Sequence, residues 1–401
     1  MKPPSEAAVG YSKLADAFEA GATAAAMARD ASSGSVPPLV AIAYATVSYD
    51  QREIVRGVRS ALPGVRLVGA SAQGISRAGA VEEIDRVVGV ALVRSARVGA
   101  RAARVAGVSA DSAGAGRALA EALRAGGRGP ADDEPVIVWY DPLARINVDA
   151  LLGGLAEGGF PRVVGGGAGQ PFGPTYKTYQ YFDGEVLSDA AVALWLPGAR
   201  LALGLSNGVE PVGFEVTVTD AFENAIRGLD GQPALDVWVE QFGGDGTHGH
   251  NSAAWAFGLP VPEPLRDAYE GPIPRGFFGF DEKTREILLQ APIPPGTVVQ
   301  VCHRTPRAVF DRAVEMGRRL KARLGGERPF LALSFECAAR PAPFLGTARA
   351  LEEVKQIQAE LGPGLPWLGT YAWGEIAPIG PRSYVHNFTF PLCVVCDAPG
   401  D

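Results

Sequence analysis

The sequence predicts an α/β protein of two pseudo-equivalent domains, with mixed sheets covered by helices and glycine-rich loops that face a cavity. The main observation is a repeated segment: EIVRGVRSALPGVRLVGASAQGIS at 53–76 aligns without a gap with EVKQIQAELGPGLPWLGTYAWGEI at 353–376. Both copies show a helix, a Pro-Gly turn, a short apolar strand and a glycine-bounded loop. A looser third copy covers 147–169, where RVVGGGAG puts Gly165 directly after a strand. Such a loop lets backbone N–H groups approach a ligand closely.

Hairpin patterns after the glycine loops predict mixed rather than all-parallel sheets. In residues 175–198, alternating aromatic residues lead into Asp183-Gly184, a pair typical of a type I′ turn, and an apolar strand returns. Residues 274–290 show a second hairpin pattern. Hairpins create antiparallel neighbours, so the sheets are expected to contain both strand directions.

The other elements follow from apolar periodicity and from helix-breaking residues. We expect a helix over 12–30 with Ser12 as its N-cap, and a buried strand over 39–47. Further predicted elements are strands at 86–94, 98–105 and 136–140, a helix at 111–125, a helix–turn–helix at 224–243, a helix at 306–324, a strand at 331–341, a helix at 348–361 and a final strand at 386–395.

Composition and charge exclude several classes of protein. At 401 residues the chain is too long for one ordinary core, and its net charge of −7 offers no basic surface for a nucleic acid. Apolar runs such as VVGVALV at 87–93 are far shorter than the roughly 20 residues that cross a bilayer. The first residues, MKPPSEAAVG, lack the apolar core of a signal peptide, and four cysteines are too few for a disulfide framework. We therefore expect a cytoplasmic protein that contacts neither nucleic acid nor membrane.

Several motifs occur in a characteristic order. The N-terminal half contains VGASAQG, VVGGGAG and YFDGEVLSDAAVALWL, and the C-terminal half contains PRGFFGFDEKTREILL, SFECAAR, GTYAWGEI and HNFT. This ordered set resembles the FIST family, which has paired N-terminal and C-terminal domains. The resemblance covers nearly the whole chain, roughly residues 12–395, and implies domains at 12–220 and 221–395. It also implies that the protein senses a small ligand, with amino acids as candidates, ahead of a signalling output.

The chain departs from the family pattern at the first glycine loop. The family usually reads GCSTAGEI there, whereas this chain has Ala70 in place of the cysteine and Ile75 in place of the glutamate. Both residue types are retained only in the C-terminal half, as Cys337 and Glu375. No kinase, cyclase or chemotaxis-type module is attached, so we expect the output to be a separate signalling protein.

Four residues of the C-terminal motifs could carry chemistry. Cys337 follows a strand and lies three residues before Arg340, and a nearby cation favours the thiolate. Glu375, in a loop after a strand, could bind a ligand amine or act as a general base. Arg340 could bind a ligand carboxylate or pair with Glu375, and Asn387 could orient a ligand through its amide. Each also has a purely structural interpretation, as a buried thiol, a loop ion pair or a sheet-edge amide.

The glycine loops supply further candidate ligand contacts, each of which could also be an ordinary turn residue. Ser71 and Tyr371 occupy equivalent positions in the first and last loops. The remaining candidates are Gly165, Gly166, Asn207 and Gly374.

We expect neither a metal nor a cofactor. His248 and His250 lie in a glycine-rich loop with only Asp245 close in sequence, whereas a tetrahedral site needs three or four ligands. Cys393 and Cys396 form a CxxC on an apparent strand, where side chains alternate between faces, so core packing is expected.

Two functions are consistent with these residues. The first is a cytoplasmic ligand-binding sensor whose glycine loops close on an amino-acid-like molecule. The second is an enzyme that hydrolyses or isomerises a small amide or amino-acid-like compound, with Cys337 as nucleophile or acid and Glu375 as base. A cysteine hydrolase needs a base such as histidine beside the thiol, and His386 is the nearest candidate. His386 starts a predicted strand that can point its ring away from Cys337, and the lack of a base favours the sensor over the enzyme. A third possibility is a scaffold whose cavity is vestigial, which the replacements at Ala70 and Ile75 would fit. The oligomeric state stays open.

Overall fold

The structure is a computed structural model. It describes residues 2–83, 86–125, 127–170, 176–242, 254–263, 265, 269 and 271–398. Three units with the same order of elements make up the main body, and a small barrel is inserted into the third unit.

The first unit is a four-stranded sheet carrying two helices. Its elements are β1 (Glu6–Ser12), α1 (Ala17–Ala31), β2 (Pro38–Thr46), α2 (Gln51–Ala61), β3 (Arg66–Ala72), the hairpin strands β4 (Ile75–Arg77) and β5 (Ala80–Glu82), and β6 (Val88–Arg94). The strand order is β1-β6-β2-β3, in which β2 and β3 are parallel and the other pairs are antiparallel. Both helices pack their small and branched apolar residues on one face of this sheet.

The second unit repeats this arrangement. Its elements are β7 (Arg101–Ala106), α3 (Ser112–Arg124), β8 (Val136–Tyr140), α4 (Val148–Glu157), β9 (Val164–Gly167), the hairpin strands β10 (Gln180–Phe182) and β11 (Glu185–Leu187), and β12 (Ala190–Trp195). The order β7-β12-β8-β9 matches that of the first unit, again with one parallel pair, β8 and β9.

An antiparallel barrel interrupts the third unit after its first strand, β13 (Ala199–Ser206). The inserted elements are β14 (Val209–Phe222), β15 (Ala225–Leu229), β16 (Gln232–Pro233), α5 (Ala234–Phe242), β17 (Trp255–Leu259), β18 (Ile273–Asp281), β19 (Glu286–Leu289) and β20 (Val298–Arg304). The seven strands run in the order β14-β20-β17-β18-β19-β15-β16, and a further pairing of β14 with β15 closes the barrel. Aromatic and branched side chains fill its interior.

The third unit then continues in the same order as the first two. Its remaining elements are α6 (Pro306–Leu324), β21 (Pro329–Cys337), a π-helical turn (Pro341–Leu345), α7 (Thr347–Leu361), β22 (Trp367–Ala372), the hairpin strands β23 (Glu375–Ile379) and β24 (Arg382–His386), and β25 (Phe390–Asp397). Its sheet order is β13-β25-β21-β22, with β21 and β22 parallel.

Each hairpin leaves its own unit and joins the sheet of another. Strand β4 pairs with β22, β10 pairs with β3, and β23 pairs with β9, all antiparallel. The three sheets therefore form a closed ring around one shared apolar core. Strands are exchanged across the predicted boundary at residue 220, and the division into 12–220 and 221–395 stays a prediction.

The predicted α/β class with mixed, helix-covered sheets is confirmed. The helix predicted over 12–30 begins later, at Ala17, because Asp16 is its N-cap and accepts a hydrogen bond from the Glu19 N–H. Ser12 instead ends β1, where it pairs with Val88.

The predicted helix–turn–helix at 224–243 is wrong in its first half. Residues Ala225–Leu229 form β15, since Ile226 and Leu229 are drawn into the barrel core, and only Ala234–Phe242 is helical. Burial in the barrel overrides the local helical pattern. Among the described helices, none is long and apolar enough to cross a membrane.

Candidate functional site

The three glycine loops meet at the centre of the ring and bond to one another. The Gly167 N–H donates to the Gly374 carbonyl at 2.9 Å, and the Trp373 N–H donates to the Gly167 carbonyl at 3.1 Å. The Gly169 N–H donates to the Ser71 carbonyl at 2.9 Å. These N–H groups join the units to each other, so they are not available to a ligand.

The candidates Ser71, Gly165 and Gly166 belong to this junction. The Ser71 hydroxyl donates to the Gly169 carbonyl at 3.0 Å and accepts from the Tyr179 N–H at 3.0 Å. Gly165 and Gly166 lie on β9, where Gly166 stands opposite Glu375 of β23. All three are buried.

Glu375 is completely buried at the start of β23. One carboxyl oxygen, Oε2, accepts from the Thr389 N–H at 3.1 Å and from the Thr389 hydroxyl at 2.9 Å. The other oxygen has no hydrogen-bond partner within the described chain. Burial raises the pKa of Glu375 to about 8, against the opposing effect of the Thr389 hydrogen bonds. The side chain is therefore mostly a neutral acid at pH 7.

Cys337, at the end of β21, is also buried and lies close enough to Glu375 for the two groups to interact. Burial, and then the negative charge of Glu375, raise the pKa of the Cys337 thiol. The expectation that Arg340 promotes a thiolate is wrong, because desolvation outweighs the neighbouring cations. The thiol remains protonated near neutral pH.

Arg340 is held by two acids that the sequence analysis did not single out. Its Nε contacts Glu336 at 3.2 Å, and its Nη2 bridges both oxygens of Glu353 at 3.1 and 3.2 Å. The three residues are at most 1% exposed. Arg340 therefore closes a buried ion cluster and does not pair with Glu375. The sequence signal that could have indicated Glu353 is the repeated segment, in which Glu353 aligns with Glu53.

Tyr371 faces the same ion cluster. Its hydroxyl has no hydrogen-bond partner among the described residues, and burial followed by the charges of Glu336 and Glu83 raises the Tyr371 pKa. Glu83 accepts a hydrogen bond from the Ala342 N–H at 2.7 Å, and burial raises the Glu83 pKa to about 7.

Arg304, at the end of β20, is a second buried cation that sequence reasoning missed. Its guanidinium lies 3.8 Å from the Phe388 ring centroid and 4.0 Å from that of Phe344. Burial lowers the Arg304 pKa to about 9, and Cys337 and Glu375 oppose this only when they are ionised. A cation placed between two rings is stabilised by their π faces.

The two asparagine candidates hold loops in place. Asn387 accepts from the Gly276 N–H at 3.0 Å and donates to Gln290 at 2.7 Å, which ties the third unit to the barrel. Asn207 accepts from the Val209 N–H at 2.9 Å and donates to the Tyr269 hydroxyl at 3.0 Å.

His386 is not arranged as a base for Cys337. Its Nε2 lies 3.1 Å from the Ala377 carbonyl, and its Nδ1 lies 3.4 Å from the Tyr269 hydroxyl. Burial lowers the His386 pKa to about 3, so the ring is neutral at physiological pH.

An open cleft of about 680 Å³ borders the last glycine loop. We call it the β8 cleft, because the segment from Tyr140, the last residue of β8, to Val148 forms one wall. Trp373 and Gly374 complete the lining, and the opposite wall is formed on the barrel side by Ala221, Glu223, Asn224, Phe278, Leu289, Gln290 and residues 292–295. The Tyr140 hydroxyl donates to the Gly374 carbonyl at 3.2 Å and so joins the cleft to the ring. Gly374 is the one predicted ligand residue that lines it.

Two family models match the sequence of this chain. The FIST N domain matches residues 39–232, and the FIST C domain matches residues 234–378. The chain belongs to the FIST family. Domains of this family are generally proposed to be sensors of small ligands in signal transduction.

Relatives of this FIST protein occur in mycobacteria. The uncharacterised protein Rv0628c of Mycobacterium tuberculosis is 28% identical over 403 residues, covering 97% of this chain and 99% of that protein. The uncharacterised protein Mb0898c of Mycobacterium bovis is 30% identical over 252 residues, covering 62% of this chain and 61% of that protein. Thermotoga maritima PurL complexed with FGAR is a structural match at 10% identity and a TM-score of 0.25, covering 98% of this chain and 72% of that one. A TM-score this low supports no conclusion.

Metal-ligand residues do not converge in the described part of the FIST protein, where no group of three or more His, Cys, Asp or Glu side chains could hold an ion. His248, His250 and Asp245 lie outside the described residues. Cys393 and Cys396 are buried in two different core clusters, as expected for alternating side chains on β25.

We expect Glu375→Gln to remove a pH dependence from the FIST protein's stability. The pKa of Glu375 is about 8 in the folded state, compared with the usual 4.5. The contribution of Glu375 to the free energy of unfolding is therefore fully present below pH 4.5. It is lost as the pH rises through 8, because the unfolded chain then carries the charged form that the folded core disfavours. The amide stays neutral, so the variant should match wild type at pH 5 and be more stable at pH 9 by on the order of a few kcal/mol. Urea unfolding at both pH values measures the difference. Equal effects at pH 5 and pH 9 would contradict the raised pKa.

Proposed function

We propose that this FIST protein is a small-ligand sensor and that the β8 cleft is its ligand site. The observation that supports this proposal is the cleft itself, which is of small-molecule size and lies where the barrel meets the last glycine loop. A ligand bound there would contact the second unit, the barrel and the third unit together. Binding could therefore change how the barrel sits against the ring, which is what a sensor requires.

The cleft lining favours an amino-acid-like ligand. Arg145 and Glu223 line it from opposite walls, and both residues are exposed. A guanidinium suits a ligand carboxylate, and a carboxylate suits a ligand ammonium group. Phe278, Leu289 and Ile293 supply apolar surface for a side chain. The pair Arg145 and Glu223 thus takes the role that the sequence analysis gave to Arg340 and Glu375.

Binding is preferred over the enzymatic alternative because the residues proposed for catalysis lack their helpers. Cys337 is a buried, protonated thiol, and both ring nitrogens of His386 face other groups. A nucleophilic cysteine needs an adjacent base within hydrogen-bond reach. We also propose a cytoplasmic location, which the four free thiols support, and an output through a separate signalling protein.

The test is a thermal-shift screen of the proteinogenic amino acids, followed by calorimetry on those that stabilise the protein. Each hit is measured again as its N-acetyl derivative and as its carboxamide. We expect Arg145→Gln to weaken binding of the free amino acid roughly three- to tenfold while leaving the carboxamide unaffected, because the lost contact is partly exposed. Glu223→Gln is expected to weaken the free amino acid but not the N-acetyl derivative.

Arg117→Gln serves as the control, since Arg117 pairs with Glu157 on helix α4, and neither residue lines the cleft. Its affinity should equal that of wild type. An amino acid that binds equally well to wild type, Arg145→Gln and Glu223→Gln would place the ligand elsewhere. Release of ammonia or of a rearranged product during calorimetry would favour the enzyme instead.

A further inference from the structure

Ring-shaped side chains make up much of the wall of the β8 cleft. The aromatic and proline residues that line it are Tyr140, Phe278, Trp373, Pro142, Pro292, Pro294 and Pro295. Aromatic and proline side chains have few rotatable bonds, so a wall made of them loses little conformational entropy when a ligand binds. The cleft therefore presents rigid apolar surface on the second unit, the barrel and the third unit.

A β-bulge presents the Phe278 ring to the cleft. Phe277 and Gly279 of β18 lie opposite two neighbouring residues of β19, Leu289 and Leu288. Phe278 is thus the extra residue of the bulge, and a bulge redirects a side chain out of the regular strand alternation. Phe277 is buried in the barrel core, whereas Phe278 is 58% exposed and lines the cleft. The Phe278 ring therefore contributes little to the core and is accessible to a ligand.

The Trp373 ring is held in one orientation by groups of the first and second units. Its indole N–H donates to the side-chain oxygen of Gln73 at 3.2 Å, and the amide nitrogen of Gln73 donates to the Ala338 carbonyl at 3.2 Å. The Trp373 backbone carbonyl accepts from the Tyr140 hydroxyl at 3.2 Å. Because the indole N–H already has an acceptor, the ring offers a ligand its π surface rather than a hydrogen bond.

We propose that the β8 cleft selects a ligand with an aromatic group, and that Phe278 and Trp373 determine this specificity. The inference rests on the proposed function, in which Arg145 and Glu223 bind the charged groups of an amino acid and its side chain contacts the rest of the wall. An aromatic ring gains an interaction with neighbouring aromatic rings that an aliphatic chain of similar area lacks. Phe278 belongs to the barrel and Trp373 to the third unit, so an aromatic ligand would join these two parts of the molecule.

The test is calorimetry on the full chain with phenylalanine, tryptophan, leucine and cyclohexylalanine, the analogue of phenylalanine whose ring is saturated. Phenylalanine is expected to bind at least about threefold more tightly than cyclohexylalanine, because the two have six-membered rings of similar size but only phenylalanine has π faces. Phe278→Leu is expected to remove most of this preference and to change the affinity for leucine less than about twofold, since an apolar surface remains. Phe278 is chosen for substitution because its exposed ring can be shortened without disturbing the barrel core.

Phe214→Leu is the matched control, because Phe214 is a similarly exposed phenylalanine of the barrel that does not line the cleft. Its affinities should stay within about twofold of wild type, as expected for a residue without ligand contact. Indole alone is a second probe, measured by saturation-transfer NMR, because it has an aromatic ring but neither charged group of an amino acid. Its signal should be lost in Phe278→Leu and kept in Phe214→Leu and Arg145→Gln.

The outcomes separate this inference from the proposed function. Equal binding of phenylalanine, cyclohexylalanine and leucine, or an unchanged preference in Phe278→Leu, would overturn the aromatic specificity and leave the sensor proposal intact. Binding of indole that depends on Phe278, without binding of any amino acid, would support the aromatic specificity and overturn the amino-acid-like ligand. No binding of indole or of any amino acid at millimolar concentration would overturn both.

Discussion

Replacing Arg340 with alanine is expected to lower the free energy of unfolding by about 3–5 kcal/mol. The guanidinium is fully buried and contacts Glu336 and Glu353, which are also buried. Its removal leaves two acids in the core without their cation, and the cost arises from their desolvation rather than from lost attraction. Urea unfolding at pH 7 measures the change.

Two further variants isolate the cause of that loss. Arg56→Ala removes the largely exposed pair of Arg56 with Glu53 on α2 and should cost less than about 1 kcal/mol. A triple variant, Arg340→Met with Glu336→Leu and Glu353→Leu, should recover most of the loss, because apolar side chains need no ion partner. If Arg340→Ala were as stable as wild type, the cluster would contribute nothing to the fold.

The substitution Gly165→Ala is expected to lower the free energy of unfolding by at least about 3 kcal/mol. Gly165 has φ of 147°, and a Cβ there would lie 1.9 Å from the Val138 carbonyl oxygen of the parallel neighbour β8. Gly69 has the same φ, and its Cβ would lie 1.9 Å from the Ala43 carbonyl oxygen of β2. Because backbone atoms cannot move aside, Gly69→Ala should cost about as much.

The controls for this prediction lie in the third unit. Gly369 occupies the matching register position, but its Cβ would first meet the hydroxyls of Ser334 and Ser76, which can rotate away. Gly369→Ala should therefore cost less than either of the other two. Gly364→Ala should be nearly neutral, since no atom lies within 4 Å of its Cβ. Thermal and urea unfolding of the four variants measure the order, and equal stability of all four would refute the argument.

Local signals in the sequence predicted those elements that depend only on neighbouring residues. Helix α6 has its predicted bounds, because Thr305 caps it, Pro306 suits its first turn and Gly325 ends it. Helix α7 begins within one residue of its predicted start and ends at the predicted residue, since Gly346 and Gly362 flank it. The strand–glycine loop pattern also located the three segments that meet at the centre of the ring.

The residues of the candidate site could not be predicted in the same way, because they are brought together by contacts between distant segments of the chain. The sequence placed Arg340 near Cys337, but its partner Glu353 comes from α7, whose packing decides which acid reaches the guanidinium. The cation and anion of the β8 cleft, Arg145 and Glu223, lie in turns of two different units and carry no motif. They become neighbours of one cleft only when the barrel closes against the second unit.

By itself, the sequence determined the α/β class, the family, the glycine-bounded strand ends and the absence of strong basic charge. The tertiary structure alone decided that the hairpins exchange between three sheets, that Glu375 is a neutral buried acid, and which side chains line the β8 cleft. The physical reason is distance along the chain. Strand β4 pairs with β22 almost three hundred residues later, and desolvation depends on every element packed around a side chain. Hydrophobic pattern and capping are read from a few neighbouring residues, whereas strand partners, burial and charge environment are properties of the assembled chain.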